Sequence, residues 1–512
     1  MIFKVRNLDI ETGASVAMLN EYDANGMGLH ASDRIEIKIR RNRAIAIVNI
    51  ANFMKSKSIG LTAELRNELE AKDNDDAEVN IAVQPKSLVA IKEKLNGRRL
   101  DYQGAYEIIR DTVNGKLDRE ELTAFVVALH AHGIDIEEAT YISNAMVNTG
   151  EELKLKKKRI YDKHSIGGVP GDKTTLLVVP IVAAAGLTIP KTSSRAITSA
   201  AGTADRAEVL MPVNLGISEM KSTIEKTNGC IVWGGAVHLA PADDMLIKIE
   251  YPFSIDPLLL PSIMSKKKAV GSTDLVLDIP IGETVKVKNK TEAEMLVRDF
   301  SSLGERLNIN VNGAITYGEQ PVGYAIGAAA EAREALATIT RKKIAEDLVD
   351  KATSIAGILL EMSGNANGKK LARDILLNGS AEKKLREIIA EQGGDENIKT
   401  DDIEIGSNSI TIHSEFDGKV MQFDNIALAY AARLAGAPGN KKAAVILHKK
   451  LGDAVAKGEA LMTIYSDSVA KAKDAESYAK SNGAIIVGKG NMMLIKRVIE
   501  KKLTPLRFTL ER

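Results

Sequence analysis

Apolar and polar residues alternate along several short runs within the first 85 residues. These runs are residues 2–5, 34–39, 44–50 and 77–83. Successive side chains of a strand point to opposite faces, so this alternation predicts strands with one buried face. Residues 1–85 are therefore predicted to form a β-rich N-terminal domain.

The spacing of the apolar residues changes to the helical period after residue 85. The acidic turn Asp118-Arg-Glu-Glu121 precedes an apolar stripe with helical spacing, at Leu122, Phe125, Val126 and Leu129. Carboxylates favour the first turn of a helix, and such a stripe is typical of a helix packed on a core. Residues 86–155 are predicted to form a helical lobe, which part of residues 238–270 completes.

From residue 162 to about residue 400, runs that favour strands alternate with helical stretches. The strand-like runs include residues 176–179, 189–192, 230–233 and 275–279. This alternation is typical of a largely parallel sheet covered by helices, so residues 156–400 are predicted to form an α/β lobe. Residues 401–512 return to strands with a helix between them and predict an α+β, barrel-like C-terminal domain. The predicted fold class is α/β.

Charge and hydropathy exclude some kinds of partner. The formal net charge is only +1, so no nucleic-acid polymer is expected as a partner. The longest apolar stretch, residues 174–190, is too short for a membrane span and contains Pro180 and Gly186, so it favours a buried helix and no membrane contact. The alternation of the α/β lobe nevertheless predicts a strand at residues 176–179, inside the same stretch.

Residue types also limit the chemistry. The single cysteine, Cys230, excludes an intrachain disulfide framework and fits a cytoplasmic location. The first residues lack the apolar core of a signal peptide. The pair Asp243-Asp244 has no partner with metal-ligand spacing, so neither a metal nor a cofactor is expected.

A glycine-rich loop at residues 162–175 is the first candidate site. Its glycines are Gly167, Gly168 and Gly171, and its polar residues include Lys163, Ser165, Lys173, Thr174 and Thr175. Glycines let backbone N–H groups turn toward one point, and a helix N-terminus, lysines and hydroxyls add positive potential and donors. The loop therefore predicts an anion site, although it lacks the P-loop spacing. His164 beside it fits packing and function equally well.

A second loop, residues 191–205, follows a predicted strand and is rich in hydroxyls and small side chains. Helix capping and close packing would explain this composition by themselves. Two such loops about 30 residues apart in one α/β lobe favour a shared site for phosphate groups.

Four motifs carry a resemblance to the thymidine and pyrimidine nucleoside phosphorylase family. They are Lys163-His-Ser-x-Gly-Gly, Ser193-x-Arg195, Gly202-Thr-x-Asp205 and Ser262-Ile-Met-Ser-Lys-Lys267. Their order and spacing resemble the family over residues 86–510. The added N-terminal domain, the Pro170 insertion and the segment Ile255-Asp256-Pro257 resemble its archaeal branch. That resemblance implies conversion of AMP and orthophosphate to adenine and ribose 1,5-bisphosphate in nucleotide salvage or degradation, with CMP and UMP as further candidates.

The resemblance also assigns the substrate contacts. Orthophosphate contacts are implied at Lys163, Ser165, Gly168, Thr175, Ser193 and Thr203, and base contacts at Ser262 and Lys266. Nucleotide contacts are implied along the second loop at Ser194, Arg195, Ala196, Ile197, Thr198 and Ser199. Ser194, Thr198 and Ser199 replace glycine and histidine of the pyrimidine enzymes, and such hydroxyls suit a second phosphate. Lys286 would close on the nucleotide phosphate, or it is a solvated lysine.

Asp256 is the implied catalytic acid. Its segment, Phe253-Ser-Ile-Asp-Pro-Leu-Leu, is apolar, and burial there would raise the pKa of the carboxyl and keep a proton available for the leaving base. The residues alone fit a helix N-cap before Pro257 equally well; the resemblance favours the acid.

Two features leave substrate and class open. Residues 247–249, Ile-Lys-Ile, lack the arginine with which the pyrimidine enzymes read the base, which favours a purine or a broad base range. Pyrimidine nucleoside phosphorolysis is the main alternative, and anthranilate phosphoribosyl transfer is a second. A role of residues 1–85 as a protein-binding adaptor on a degenerate enzyme is a third. A homodimer or higher homo-oligomer is expected.

Overall fold

The structure is a computed structural model that describes residues 1–12, 15–196 and 199–488. Its chain divides into two compact units, the first formed by Met1–Gly150 and Ala240–Ser262 and the second by Glu151–Leu239 and the described residues from Ile263 onward. Up to Gly150 the elements are β1 (Ile2–Asn7), β2 (Val16–Leu19), α1 (Glu21–Gly26), β3 (Arg34–Ile39), β4 (Asn42–Ile50), β5 (Ser58–Leu61), α2 (Ala63–Leu69), β6 (Asp76–Ile81), α3 (Ser87–Leu95), α4 (Tyr102–Val113), α5 (Arg119–His132) and α6 (Ile136–Asn148).

The described residues after Gly150 contain a further twelve strands and twelve helices, apart from two short 3-10 turns. They are β7 (Tyr161–Ser165), α7 (Thr174–Ala184), β8 (Ile189–Ser193), α8 (Thr203–Ala207), α9 (Ile217–Thr227), β9 (Gly229–Trp233), α10 (Pro241–Phe253), α11 (Leu259–Ala269), β10 (Asp274–Ile281), α12 (Lys290–Leu307), β11 (Asn310–Tyr317), β12 (Ala325–Ile326), α13 (Ala328–Ile339), α14 (Glu346–Met362), α15 (Gly368–Leu377), α16 (Ser380–Glu391), β13 (Asn408–His413), β14 (Gly418–Phe423), α17 (Asn425–Leu434), β15 (Ala444–Leu447), β16 (Ala454–Val455), β17 (Ala460–Ser466), α18 (Val469–Ser481) and β18 (Ile485–Gly488).

The N-terminal β-rich domain is a closed barrel with the strand order β1-β5-β2-β4-β3-β6. The alternating side chains Ile35, Ile37 and Ile39 of β3 are fully buried inside it, as their period of two predicts. The pattern did not reveal β2 and β5, which have only four residues each. All four residues of β5 are buried, and a Cβ on its Gly60 would lie 2.7 Å from a methyl carbon of Leu8.

The helical bundle of the first unit contains α3, α4, α5 and α6, and α10 packs against them. Asp118 accepts a hydrogen bond from the Glu121 N–H at 2.8 Å, and the Glu121 carboxylate accepts one from the Asp118 N–H. This capping box fixes the start of α5, and the predicted apolar stripe of α5 is buried. Arg34 of the barrel ion-pairs with both carboxylates, which ties the barrel to the bundle.

The second unit contains parallel strands in the order β11-β10-β7, and a parallel pair of β8 and β9 beside them. The Tyr161 N–H donates to the Thr188 carbonyl at 2.8 Å where β7 adjoins β8. The predicted strand at residues 176–179 is wrong, because these residues lie inside α7. That helix is buried all round, and a continuous apolar run has no periodicity that separates a strand from a buried helix.

The C-terminal part has two antiparallel sheets, with the strand orders β12-β15-β17-β13 and β16-β14-β18. Helices α17 and α18 pack together beside them, so residues 401–488 hold two helices where the pattern predicted one for residues 401–512. The fold is thus mixed α/β, with a β-rich N-terminal barrel, a helical bundle and a parallel α/β domain. None of the helices in the described ranges is long and apolar enough to cross a membrane.

Candidate active site

The first glycine-rich loop lies at the carboxyl end of β7, which is the usual ligand edge of a parallel sheet. Gly167, Gly168 and Gly171 have φ angles of +86°, +92° and +71°, a region that favours glycine. A Cβ on Gly168 would lie 2.9 Å from the backbone nitrogen of Lys286. Glycine therefore lets the loop lie directly against the turn that follows β10.

Lys163 is the cation most clearly available at this loop. Its side chain is 3% exposed, and no hydrogen bond or ion pair joins its ammonium to any residue in the described ranges. Burial lowers its pKa, while Asp172 and Asp278 act in the opposite direction. A buried ammonium that no carboxylate contacts directly is suited to bind an anion.

Further lysines make the same region electropositive. Burial, followed by the charges of Lys267, Lys191, Lys163 and Lys266, lowers the pKa of His164 well below its usual value. His164 is therefore neutral near pH 7. Asp162 is completely buried and its carboxylate is 2.6 Å from the Lys267 ammonium and 3.8 Å from that of Lys191.

Lys173 does not contribute its charge to the anion loop, contrary to expectation. Its ammonium is completely buried and donates to the carbonyls of Val322 and Ala325 at 2.8 and 3.0 Å. It also lies 2.5 Å from the Glu334 carboxylate. Lys173 therefore anchors the base of the loop to residues 322–334.

The second loop is organised by Asp205. Its carboxylate accepts hydrogen bonds from the N–H groups of Ala196 and Gly202 at 2.7 and 2.8 Å, so both ends of the loop are held by one side chain. The side chains of Ser194 and Ser199 are exposed, as substrate contacts require. Ser193 ends β8 and donates to the Val232 carbonyl at 3.2 Å. The predicted contacts Ile197 and Thr198 lie outside the described residues.

Arg195 is already paired within the protein. Its guanidinium donates to Glu208 at 2.8 and 2.7 Å and to Asp205 at 3.2 Å. Lys441 of the C-terminal part holds the same Glu208 carboxylate at 2.5 Å. Arg195, with a smaller contribution from Lys441, lowers the pKa of Glu208 to about 2. The sequence did not indicate that the C-terminal part reaches this loop.

The remaining predicted orthophosphate contacts lie in or next to the two loops. Thr175 is buried in the first turn of α7, and Ser165 accepts a hydrogen bond from the Gly167 N–H at 3.3 Å. Thr203 is the first residue of α8 and is half-buried. Lys286 is exposed in the turn that faces Gly168. The structure thus brings residues of three segments of the second unit to the carboxyl edge of its strands.

The expected burial of Asp256 is wrong. Asp256 is exposed in the irregular segment between α10 and α11. The apolar residues around it do not enclose its carboxyl: Leu258 is buried, but Phe253 is itself 55% exposed. Helix α11 begins at Leu259, so Pro257 is not its first residue. Ser262 and Lys266 lie four residues apart in α11 and therefore share one face of that helix.

One buried lysine near the first loop was missed by the sequence. Lys351 of α14 lies 3.0 Å from the Asp172 carboxylate and 2.9 Å from that of Asp278. The three residues belong to separate segments, so no local motif could have joined them. Within the described part of the chain, no group of three or more His, Cys, Asp or Glu residues could hold a metal ion.

Comparison with known proteins identifies the class. The "Glycosyl transferase family, helical bundle domain" matches residues 89–150, and the "Glycosyl transferase family, a/b domain" matches residues 157–382. The "Pyrimidine nucleoside phosphorylase C-terminal domain" matches residues 419–485. The chain is thus a pentosyltransferase-type glycosyl transferase, and both candidate loops lie in the matched a/b domain.

Curated relatives narrow the class to one family. AMP phosphorylase of Thermofilum pendens is 46% identical over 100% of both chains. That of Thermococcus sibiricus is 47% identical over 91% of this chain and 93% of its own. This chain belongs to the AMP phosphorylase family. Among solved structures, anthranilate phosphoribosyltransferase (TrpD) from Thermus thermophilus matches 59% of this chain and 99% of its own, with a TM-score of 0.49 and 17% identity.

Proposed function

We propose that the protein phosphorolyses AMP: AMP and orthophosphate give adenine and ribose 1,5-bisphosphate, with CMP and UMP as further candidate substrates. One observation carries this proposal. At the carboxyl edge of β7, β8 and β10 lie two loops with hydrogen-bond donors and the buried Lys163, whose ammonium has no ion pair in the described ranges. One anion loop would serve orthophosphate alone, whereas a nucleotide brings a second phosphate that needs its own donors.

We propose that the first loop binds the attacking phosphate. Orthophosphate is assigned to Lys163, Ser165, Gly168, Thr175, Ser193 and Thr203. The glycine backbone and the Lys163 side chain can offer N–H donors and one ammonium to its oxygens. A phosphate oxygen forms the new bond to the sugar C1′ while the bond from C1′ to the base nitrogen breaks.

The nucleotide is assigned to the second loop, to Lys286 and to α11. Residues 194–199 and Lys286 bind the 5′-phosphate and ribose, while Ser262 and Lys266 bind the base. Asp256 donates a proton to the departing base nitrogen, so the base leaves as a neutral molecule. Because Asp256 is exposed, the bound substrate must exclude water around this carboxyl for it to act as the acid.

The requirement for phosphate is the first expected result. AMP with orthophosphate should release adenine and form ribose 1,5-bisphosphate, because both anion sites are then filled. Chromatography of free base, with and without phosphate, for AMP, CMP, UMP and their nucleosides measures this. Equal base release in phosphate-free buffer would make the protein a hydrolase. A preference for uridine or thymidine over every nucleotide would support the pyrimidine nucleoside phosphorylase instead.

The Lys286→Met variant separates nucleotide from nucleoside use. A charge-assisted hydrogen bond is worth about 1.5–3 kcal/mol, so its loss should lower kcat/KM for AMP by roughly tenfold to a hundredfold. Adenosine has no 5′-phosphate and should lose little. Initial rates at saturating phosphate measure both, and Lys290→Met, at an exposed lysine of α12, is the matched control. A parallel fall for AMP and adenosine would remove Lys286 from the 5′-phosphate site.

We propose the same domain limits as the pattern predicts: 1–85, 86–155 with part of 238–270, 156–400 and a barrel-like 401–512. The closed barrel of β1–β6 and the packing of α10 on the bundle support the first two. We further propose a cytoplasmic homodimer or larger homo-oligomer without a metal or cofactor. Light scattering of the purified protein tests the subunit number.

A further inference from the structure

We infer that Lys351 is a positioning residue that keeps the Lys163 ammonium available to orthophosphate by neutralising two buried carboxylates. This inference rests on the proposed phosphate site. Lys351 lies on α14, outside every motif that defines the two loops. It would contact neither substrate, and it would act through Asp172, Asp278 and Lys163.

The two carboxylates create an electrostatic problem at an anion site. Asp172 belongs to the glycine-rich loop, and Asp278 belongs to β10 beside β7 and is completely buried. Both interact with Lys163 and favour its charged form. Without a counter-ion they would repel an incoming phosphate and attract the one ammonium that should bind it.

Lys351 resolves this problem by its position. Its ammonium bridges the two carboxylates at 3.0 and 2.9 Å, and its side chain is only 8% exposed. The carboxylates also accept hydrogen bonds from neutral groups, Asp172 from the Thr174 N–H at 3.2 Å and Asp278 from the Thr316 hydroxyl at 2.6 Å. Each of the four carboxylate oxygens therefore has either a neutral donor or the Lys351 ammonium close to it, and none is within ion-pair distance of Lys163.

The charges balance only when Lys351 is present. Two carboxylates and two lysines sum to zero before phosphate binds, and removal of Lys351 leaves one negative charge. Burial works against the ammonium of Lys351, but Asp172 and Asp278 raise its pKa above the usual value. Burial likewise works against the Asp172 carboxylate, but Lys351 and then Lys163 lower its pKa overall. The four charged groups come from four segments of the second unit: Lys163 from β7, Asp172 from the glycine-rich loop, Asp278 from β10 and Lys351 from α14.

The other nearby cation is already occupied. Arg206 interacts with Lys163 and Asp172, but its guanidinium lies 2.9 Å from the buried carboxylate of Glu331 and donates to the Ala201 carbonyl at 2.7 Å. Arg206 therefore cannot replace Lys351 without leaving the buried Glu331 carboxylate unpaired. Lys351 is left as the residue that offsets both aspartates.

The test is the Lys351→Met variant, which keeps the length of the side chain and removes its charge. We expect its KM for orthophosphate to rise roughly tenfold to a hundredfold, the range for one charge-assisted interaction. The KM for AMP, and kcat at saturating phosphate, should stay within about threefold. Lys351→Arg should restore most of the phosphate affinity, because it restores the charge. Lys369→Met, at an exposed lysine of α15 that pairs with Asp350 of α14, is the control.

A second variant separates charge from folding. Adding Asp278→Asn to Lys351→Met removes the uncompensated negative charge. The KM of the double variant for orthophosphate should therefore fall at least part of the way back to the wild-type value. It also provides a measurable protein if the single variant does not fold. An unchanged phosphate KM, an equal rise in the KM for AMP, or an arginine variant that behaves like the methionine variant would overturn the inference. Base release by the wild-type protein that does not depend on phosphate would instead overturn the proposed function.

Discussion

Replacing Asp256 with asparagine should lower kcat for AMP phosphorolysis by roughly 10²–10⁴-fold, the usual contribution of a general acid. Asparagine keeps the shape of the side chain but has no carboxylic proton to donate to the departing base. Nucleotide binding should change little, since the proton is transferred only during bond cleavage. Rates at saturating AMP and phosphate, together with the KM for AMP, measure the effect.

The nature of the leaving group makes this test sharper. A ribose 5-phosphate whose leaving group departs as a stable anion, such as a nitrophenolate, does not need the proton. Asp256→Asn should therefore be far less impaired on that substrate than on AMP. Asp9→Asn, at a fully exposed aspartate of the barrel domain, is the matched control. If both leaving groups lose activity equally, or if kcat on AMP stays within about threefold, then Asp256 is not the acid.

Replacing Lys173 with methionine should destabilise the second unit by about 3–5 kcal/mol, the usual cost of removing one partner of a buried ion pair. Glu334 would keep a poorly solvated charge, and the carbonyls of Val322 and Ala325 would lose their donor. Although burial alone would raise it, the pKa of Glu334 is lowered, chiefly by Lys173. Calorimetry should show a Tm lower by about 4–7 °C, because the unfolding entropy is about 2.1 cal/mol/K per residue over the roughly 340 residues of the second unit.

A double variant tests the physical cause of this loss. Lys173→Met with Glu334→Gln removes both charges, while the glutamine can still accept the hydrogen bonds that Tyr324 and Ala325 donate to Glu334. It should be more stable than Lys173→Met alone, because no buried charge remains unpaired. A Tm of Lys173→Met within about 1 °C of wild type would show that the ammonium is not the anchor of the loop.

The local sequence pattern revealed those elements in which buried and exposed positions alternate regularly over a few residues. The alternation along β3 and the apolar stripe of α5 both gave correct elements, since one face of each is buried and the other is not. The short strands β2 and β5 were missed because four residues carry too little periodicity. Residues 176–179 were partly misassigned as a strand for a related reason: α7 is buried on every side and has no polar face to show its period.

The candidate site also contains features that the local sequence predicted and features that it did not. Its two loops were found from sequence because glycines with positive φ, hydroxyls and lysines are adjacent in the chain. The partners of the charged side chains were not, since Lys173 binds residues 322–334, Arg195 shares Glu208 with Lys441, and Lys351 joins Asp172 to Asp278. These pairs are separated by many residues, so local spacing carries no information about them.

By itself, the sequence determined the order of the β-rich, helical and α/β parts and the positions of two loops rich in glycines, hydroxyls and lysines, whose role as anion sites stays a prediction. Only the tertiary structure decided which cations of those loops are paired with protein carboxylates and which are not. Lys173 and Lys163 look alike in the sequence, ten residues apart. The Lys173 ammonium is surrounded by oxygen atoms, whereas that of Lys163 has no hydrogen bond or ion pair within the described ranges. The physical reason is that an ion pair depends on distance in space, and burial makes each pairing decisive because an unpaired charge there is costly.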